Sequence, residues 1–245
     1  MKLKIIYEDQ ALLVIDKPSG IVVNRVGTTK GKTLQDWMEE KYPACFKINE
    51  NLKDNQEWQE FHQRSGIVHR LDRETSGVMV LTKKLVVFQN LKAQFKLRKV
   101  SKEYLALVHG RVTPKQGDIK LPLGRNPKKR KHFTIRLGGR EAVTNYQVLA
   151  YYQKNGHVYS LLSIQPKTGR THQIRVHCKH IGHSLVADSI YLKKNLRQDL
   201  KWCPRLFLHA HKLVFTHPIT GKRREFVSKL STDLEQALTY LTKKN

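Results

Sequence analysis

Nine residues, His69-Arg70-Leu71-Asp72-Arg73-Glu74-Thr75-Ser76-Gly77, crowd polar chemistry against the apolar run Val78-Met79-Val80-Leu81. Asp72 stands between Arg70 and Arg73, and flanking guanidiniums favour the anionic form of a carboxylate. Such an anion suits a nucleophile or an electrostatic stabiliser and suits a general acid poorly. The pattern equally describes a surface ion-pair cluster ahead of a strand, and spacing alone leaves both open. Glu74 invites comparison with glycosidases, whose paired carboxyl groups sit about 5 Å or more apart across the scissile bond. Residues two apart in a strand or turn are poorly placed for that. His172, His177, Cys178, His180 and His183 form a dense group whose spacings match neither a zinc finger nor HExxH. Histidines that satisfy backbone or a polyanion are the simpler account, and no metal is expected. The run Lys128-Lys129-Arg130-Lys131, followed by His132 and Phe133, reads as a solvated loop or as a contact to an RNA backbone.

The elements that must position these residues follow from periodicity. Leu3–Tyr7 and Ala11–Asp16 read as two strands around the turn Glu8-Asp9-Gln10, and Lys17-Pro18-Ser19-Gly20 breaks the second. Ile21-Val22-Val23 resumes extended structure. Thr33-Leu34-Gln35-Asp36-Trp37-Met38 opens a short amphipathic helix. Residues 46–66 lack a period and read as a loop into the central motif, whose apolar end is a buried strand. Leu85, Phe88, Leu91 and Phe95 define a helix face, and basic residues from Lys96 to Lys102 follow it. Ser101–Gly110 alternates as a strand with Tyr104, Ala106 and Val108 on one face. Residues 113–141, rich in Gly and Pro, read as a long irregular hairpin or insertion. Ala142–Tyr151 and Val158–Ile164 are strands joined through Asn155-Gly156, a hairpin signal. Gln165–Gly169 leads into a helix with Ile174 and His177 on one side and Arg175 on another. Thr232-Asp233-Leu234-Glu235 has the pattern of a capping box opening a last helix with Leu234, Ala237, Leu238 and Leu241 inward.

Several of these segments together resemble one family. Ile67–Val78 is similar to the HRLDxxTSG signature of the RluA-type RNA pseudouridine synthases, matching every fixed position. Lys17-Pro18-Ser19-Gly20 resembles the family's opening, and Lys102-Glu103-Tyr104-Leu105-Ala106 its Lys-x-Tyr-x-Ala context. Gly169-Arg170-Thr171-His172-Gln173-Ile174-Arg175-Val176-His177 is similar throughout to its GRTHQIRvH motif. Ile181–Tyr191 is similar to G-x-P-x-x-GD-x-x-Y, with Ser184 in place of proline and Ala187 in place of glycine. Phe207-Leu208-His209-Ala210 and Phe215–Gly221 resemble the terminal pattern. The likeness runs from about residue 10 to about 230.

The resemblance implies isomerisation of uridine to pseudouridine in structured ribosomal or transfer RNA. The N1–C1′ bond breaks, the uracil turns, and the base rejoins through C5. An anion beside C1′ answers the positive charge that develops there. Asp72 takes that place by analogy, as nucleophile or as the base that removes a sugar proton. Arg175 would pair with it, and Tyr104, otherwise an ordinary strand aromatic, would lie against the flipped base. Arg70 would occupy the space the base vacates. Arg73, His172 and the run Lys128, Lys129, Arg130, Lys131 would contact RNA, and Arg170 either phosphate or the site. No cofactor is implied, because the reaction is redox-neutral. The implied fold is mixed α/β (α+β), a bent, largely antiparallel sheet with flanking helices and a central basic cleft.

Composition agrees with that expectation. Lys plus Arg outnumber Asp plus Glu by 46 to 20, a net charge of +26, for which a polyanionic partner is the economical explanation. A non-catalytic RNA-binding module fits the charge equally and would make Asp72 dispensable. No window nears the roughly 20 apolar residues of a membrane span, and Glu8 and Asp9 arrive too early for a signal peptide. A cytoplasmic monomer is expected. One catalytic domain over residues 1–245 is expected, with no room for the small S4-type domain that some relatives carry in front. Cys45, Cys178 and Cys203 are odd in number and far apart, as buried free thiols would be.

Overall fold

A computed structural model describes residues 1–27, 29, 31–47, 54–129, 132–192 and 194–244. The chain opens with strands β1 (Lys4–Glu8) and β2 (Leu12–Lys17), then helices α1 (Leu34–Lys41) and α2 (Gln56–Gln63). Strand β3 (Ser76–Thr82), helix α3 (Leu85–Lys96) and strands β4 (Ser101–His109) and β5 (Gln116–Lys120) follow. A small hairpin, β6 (Leu123–Arg125) and β7 (Phe133–Ile135), precedes the long strands β8 (Val143–Lys154) and β9 (His157–Pro166). Helices α4 (Gln173–His180) and α5 (Leu196–Asp199), strands β10 (Leu208–Thr216) and β11 (Arg223–Val227), helix α6 (Thr232–Thr239) and strand β12 (Thr242–Lys244) complete it. The chain divides into two compact units, Met1–Ser101 with Lys212–Ser228, and Lys102–His211 with Lys229–Asn245. No helix among the described residues is long and apolar enough to cross a membrane.

The first unit is built on β1, β2 and β3, paired antiparallel in that order. Strands β10 and β11 pair antiparallel through Lys212–Thr216 and Arg223–Val227. Every residue of β3 is buried, so its run is apolar on both faces as a covered strand requires. Asp9 shapes the first turn, because its Oδ1 accepts the Ala11 and Leu12 N–H groups at 2.7 and 2.9 Å. Helix α1 begins at a reciprocal cap: Thr33 Oγ1 accepts the Asp36 N–H, and Asp36 Oδ2 accepts the Thr33 N–H. Helix α3 buries Val87, Phe88, Leu91 and Gln94 and leaves Phe95 half-buried, a face turned slightly from the expected one.

Two expectations fail in this unit. Ile21–Val23 is no strand; the Val22 and Val23 carbonyls instead accept the Leu34 and Gln35 N–H groups at the start of α1. Within the supposed loop 46–66 lies α2, capped by Asn55, whose Oδ1 accepts the Trp58 N–H at 2.9 Å. Its one buried side chain is Phe61, too little apolar content to register as a period.

The second unit centres on the antiparallel strands β4, β9 and β8. Strand β5 pairs with residues 143–147 of β8 and β12 with residues 151–153. Asn155 and Gly156, at φ +48° and +79°, form the tight turn between β8 and β9. Alternation sorts β4 as expected: Ala106 and Val108 enter one apolar cluster with Tyr104 against it, and Leu107 enters another. The second cluster also takes Leu234, Ala237 and Leu241 from α6 and its end. The capping box at Thr232 is not formed. Ser231 is the N-cap residue and makes no side-chain cap, because its Oγ and the Asp233 carboxylate are taken by the Arg205 guanidinium. Residues 113–141 resolve into β5 and the β6–β7 hairpin. Cys178 and Cys203 are buried, whereas Cys45 is only half-buried; burial pushes the Cys178 and Cys203 thiols up to about 12 and keeps them protonated.

Candidate active site

In the first unit the central motif forms a loop leading into β3. Gly66 fixes its approach, at φ +72° and with the Thr82 carbonyl only 2.1 Å from where a Cβ would stand. Its carbonyl accepts both the N–H and the hydroxyl of Thr82. His69 is held by Nε2, which accepts the Val80 N–H at 3.1 Å, and its ring stacks on Phe95 with centroids 4.6 Å apart. Leu71 is buried beneath, and Arg70 and Arg73 are exposed. Asp72 is half-buried at the head of a turn in which its carbonyl accepts the Thr75 N–H at 3.1 Å.

The turn is clamped from behind by the early Lys-Pro-Ser-Gly segment. The fully buried Lys17 ammonium donates to the carbonyls of Pro18, Ile21 and Arg73 at 2.9, 3.1 and 3.3 Å. Ser19 Oγ donates to the Glu74 carbonyl at 2.8 Å, and the Gly20 N–H to the Arg73 carbonyl at 2.8 Å. The Arg73 guanidinium returns a bond to the Gly20 carbonyl at 3.2 Å. Arg73 therefore serves the clamp as well as facing solvent. The loop presents Asp72 from a main chain held at the two residues after it, a setting that suits electrostatic or nucleophilic work.

In the second unit the downstream motif ends in α4. Gln173 closes the loop before it: its Oε1 accepts the Thr168 hydroxyl and the Arg170 N–H, and its Nε2 donates to the Val143 carbonyl and Thr144 Oγ1. Arg170 is half-buried and donates through Nε to the Glu141 carbonyl at 3.0 Å. His172 takes a left-handed conformation, φ +56°, and its Nδ1 lies 2.8 Å from the Tyr191 hydroxyl. Arg175 is 2% exposed, and its Nε and Nη2 donate to the two oxygens of Asp188 at 2.9 and 2.6 Å. That bidentate pair fixes the guanidinium plane. Tyr104 is half-buried on β4, opposite Ile164 of β9. Two residues before it, Lys102 has its ammonium near the backbone of Gly169, 3.9 Å from where a Cβ would stand. Burial pushes that ammonium down to about 8.

His177 is structural. Its Nε2 donates to the Leu121 carbonyl at 3.1 Å, so its Nδ1 accepts the Thr144 hydroxyl, and burial holds its pKa below the usual histidine range. His183 Nδ1 lies 2.8 Å from the His109 carbonyl. Lys128 and Lys129 are exposed at the β6–β7 tip, where Asn126 Oδ1 accepts both of their N–H groups. Arg130 and Lys131 lie outside the described residues.

The family model for RNA pseudouridylate synthases matches residues 11–180. The chain belongs to that family. It is 36% identical to the ribosomal large subunit pseudouridine synthase D of Pseudomonas aeruginosa, over 98% of this chain and 72% of that protein. It is 35% identical to the uncharacterized RNA pseudouridine synthase YlyB of Bacillus subtilis, over 99% of this chain and 74% of that protein. Among solved structures, human RNA pseudouridylate synthase domain containing 1 superposes with a TM-score of 0.74 at 25% identity, covering 99% of this chain and 89% of that one. As a pseudouridine synthase, the chain is an isomerase that converts uridine to pseudouridine in RNA.

Two side chains around this pseudouridine synthase's Arg175 were not singled out from sequence as site residues. Asp188 and Tyr191 lie three apart, and the Asp188 carboxylate also accepts the Ile190 and Tyr191 N–H groups at 3.0 and 2.9 Å. The Tyr191 ring lies against the Arg175 guanidinium, 5.3 Å away. Their signal lies in the Gly-Asp-x-x-Tyr likeness, in which Asp188 follows directly on Ala187 and Tyr191 closes the pattern. Ala187 shows why glycine suits that place: its φ is +55°, and its N–H donates to Asp199 Oδ2 at 2.9 Å.

Proposed function

We propose that this pseudouridine synthase acts on a uridine in structured ribosomal RNA and that Asp72 is its catalytic carboxylate. The observation that carries the reading is the clamped turn, which spends Lys17, Ser19 and Gly20 on holding the main chain next to half-buried Asp72, within a complete family signature. As the N1–C1′ bond breaks, the Asp72 carboxylate meets the charge developing at C1′, as nucleophile or as the base for a sugar proton. The uracil then turns and C5 bonds to C1′, as the Asp72–C1′ ester bond breaks on the first route or as the sugar carbon regains its proton on the second; the C5 proton leaves and N1 is protonated. Atoms and electrons balance without a redox partner, so no cofactor is required. Tyr104 lies against the base, and Arg175, its plane set by Asp188, is the guanidinium that the resemblance assigns to the carboxylate. Arg70 enters the vacated stack. Arg73, Arg170, His172, Lys128, Lys129, Arg130 and Lys131 meet phosphate and sugar. Ribosomal rather than transfer RNA is favoured by relatives that carry ribosomal names. The chain works alone, in the cytoplasm.

The test is tritium release from [5-³H]uridine-labelled RNA prepared from cells lacking the protein. Wild type releases tritium from ribosomal RNA, and Asp72→Ala binds the same RNA and releases none. Release from transfer RNA alone changes the substrate. Tight binding with no release by either protein leaves an RNA-binding module, and free uracil means hydrolysis.

A further inference from the structure

The β6–β7 hairpin carries two exposed lysines at its tip, yet its base is fixed with care. The Phe133 N–H donates to the Tyr191 hydroxyl at 2.9 Å, and that same oxygen lies 2.8 Å from His172 Nδ1. One phenol therefore closes a bond to the hairpin backbone and a bond to the downstream motif. Below it, Tyr191, Leu123 and Val176 of α4 form an apolar cluster against which Phe133 and Ile135 pack. Phe133 also meets the His172 ring edge-on, with centroids 5.9 Å apart. The Tyr191 ring also meets Arg175: it lies 5.3 Å from that guanidinium, and the Tyr191 N–H donates to the Asp188 oxygen that accepts from Arg175 Nη2. The side chain is 4% exposed, so its hydroxyl would be costly to bury without partners.

We propose that Tyr191 is a positioning and specificity-determining residue, which seats the hairpin on α4 so that RNA held at the hairpin tip is set in register with Arg175. The inference rests on the reading of the hairpin as an RNA contact and adds the residue that ties it to the site. Lys128 and Lys129 supply affinity for any phosphate, which carries no register of its own. Register comes from the angle at which the hairpin leaves α4, and the Phe133–Tyr191 bond sets that angle. Only a structured RNA long enough to meet the tip and the reacting uridine together senses it.

The experiment compares wild type with Tyr191→Phe, which keeps the ring and removes the hydroxyl. Hydrogen exchange at residues 123–135 reports the seat directly, and the Phe133 amide exchanges faster in the variant. On structured ribosomal RNA the variant raises KM by roughly five- to tenfold, the worth of one hydrogen bond to an otherwise unsatisfied group, with kcat within about twofold. In a Lys128→Ala, Lys129→Ala background the same change raises KM by a clearly smaller factor, because the hairpin then holds RNA more weakly. A purely structural role would give the same increment in both backgrounds. The proposal is overturned by unchanged exchange at the hairpin, by an unchanged KM, or by a fall in kcat alone, which would place the hydroxyl in the chemistry through His172. If wild type binds RNA and releases no tritium, the isomerase reading fails, and the same comparison is read from dissociation constants.

Discussion

The Arg175–Asp188 pair is 2% and 0% exposed and closed by two bonds, so removing one partner strands the other in a low-dielectric interior. Asp188→Ala is expected to destabilise the fold by about 3–5 kcal/mol in urea unfolding and to depress tritium release further than stability alone explains. Lys102 stores a different tension. Its ammonium is pushed down to about 8 from an ordinary 10.5, so between those values the unfolded chain binds more protons than the folded one. Stability contributed through this residue therefore rises with pH across that window, and the penalty is fully present below about 8. Lys102→Met should raise stability at pH 7 by of the order of 1–3 kcal/mol and by nothing measurable above pH 11. Thermal unfolding across pH checks the sign. A gain in stability that is lost in activity would show that the lysine is kept for RNA.

At the scale of elements, the sequence was most legible where one local pattern sufficed. The β3 run, the amphipathic start of α1 and the Asn155-Gly156 turn each need only neighbours in the chain. It was least legible where partners come from afar. Helix α2 has a single buried anchor, and the Thr232 box is emptied by Arg205, some 27 residues upstream, which no local pattern reveals. The clamp behind Asp72 is intermediate. Lys17-Pro18-Ser19-Gly20 was read as a strand breaker and a family likeness, while its role in holding Arg73 and Glu74 requires contacts more than fifty residues apart. Lys17→Met keeps the volume and takes the ammonium from the Pro18 and Ile21 carbonyls, while the Arg73 carbonyl keeps the Gly20 N–H. It should cost about 2 kcal/mol or more in stability, given roughly 1–3 kcal/mol for each unsatisfied buried group. Chemical denaturation measures it, and a near-neutral result would dissolve the clamp.

For the whole molecule, the charge of +26 is the dominant physical fact. Affinity for RNA should fall linearly in log–log terms with salt, with a slope of about 0.7–0.9 per phosphate neutralised. Lys128→Ala with Lys129→Ala should flatten that slope by about 1.5, measured by fluorescence anisotropy between low and physiological salt. A slope left unchanged would move the RNA contact away from the hairpin. The net charge and its sign were plain from composition, whereas the distribution over hairpin, loop and helix needed the fold.

The two units exchange the chain inside regular structure. The polypeptide crosses at Ser101–Lys102, the first two residues of β4, and crosses back at His211–Lys212, within β10, before returning after Ser228. Neither unit is a contiguous stretch. During synthesis the first hundred residues therefore emerge from the ribosome without the strand that completes their unit, and the second unit likewise waits for its last helix. Completion of the first unit while the second is still unmade, the usual course for chains built N-terminus first, is closed to these residues, because Lys212–Ser228 follow most of the second unit.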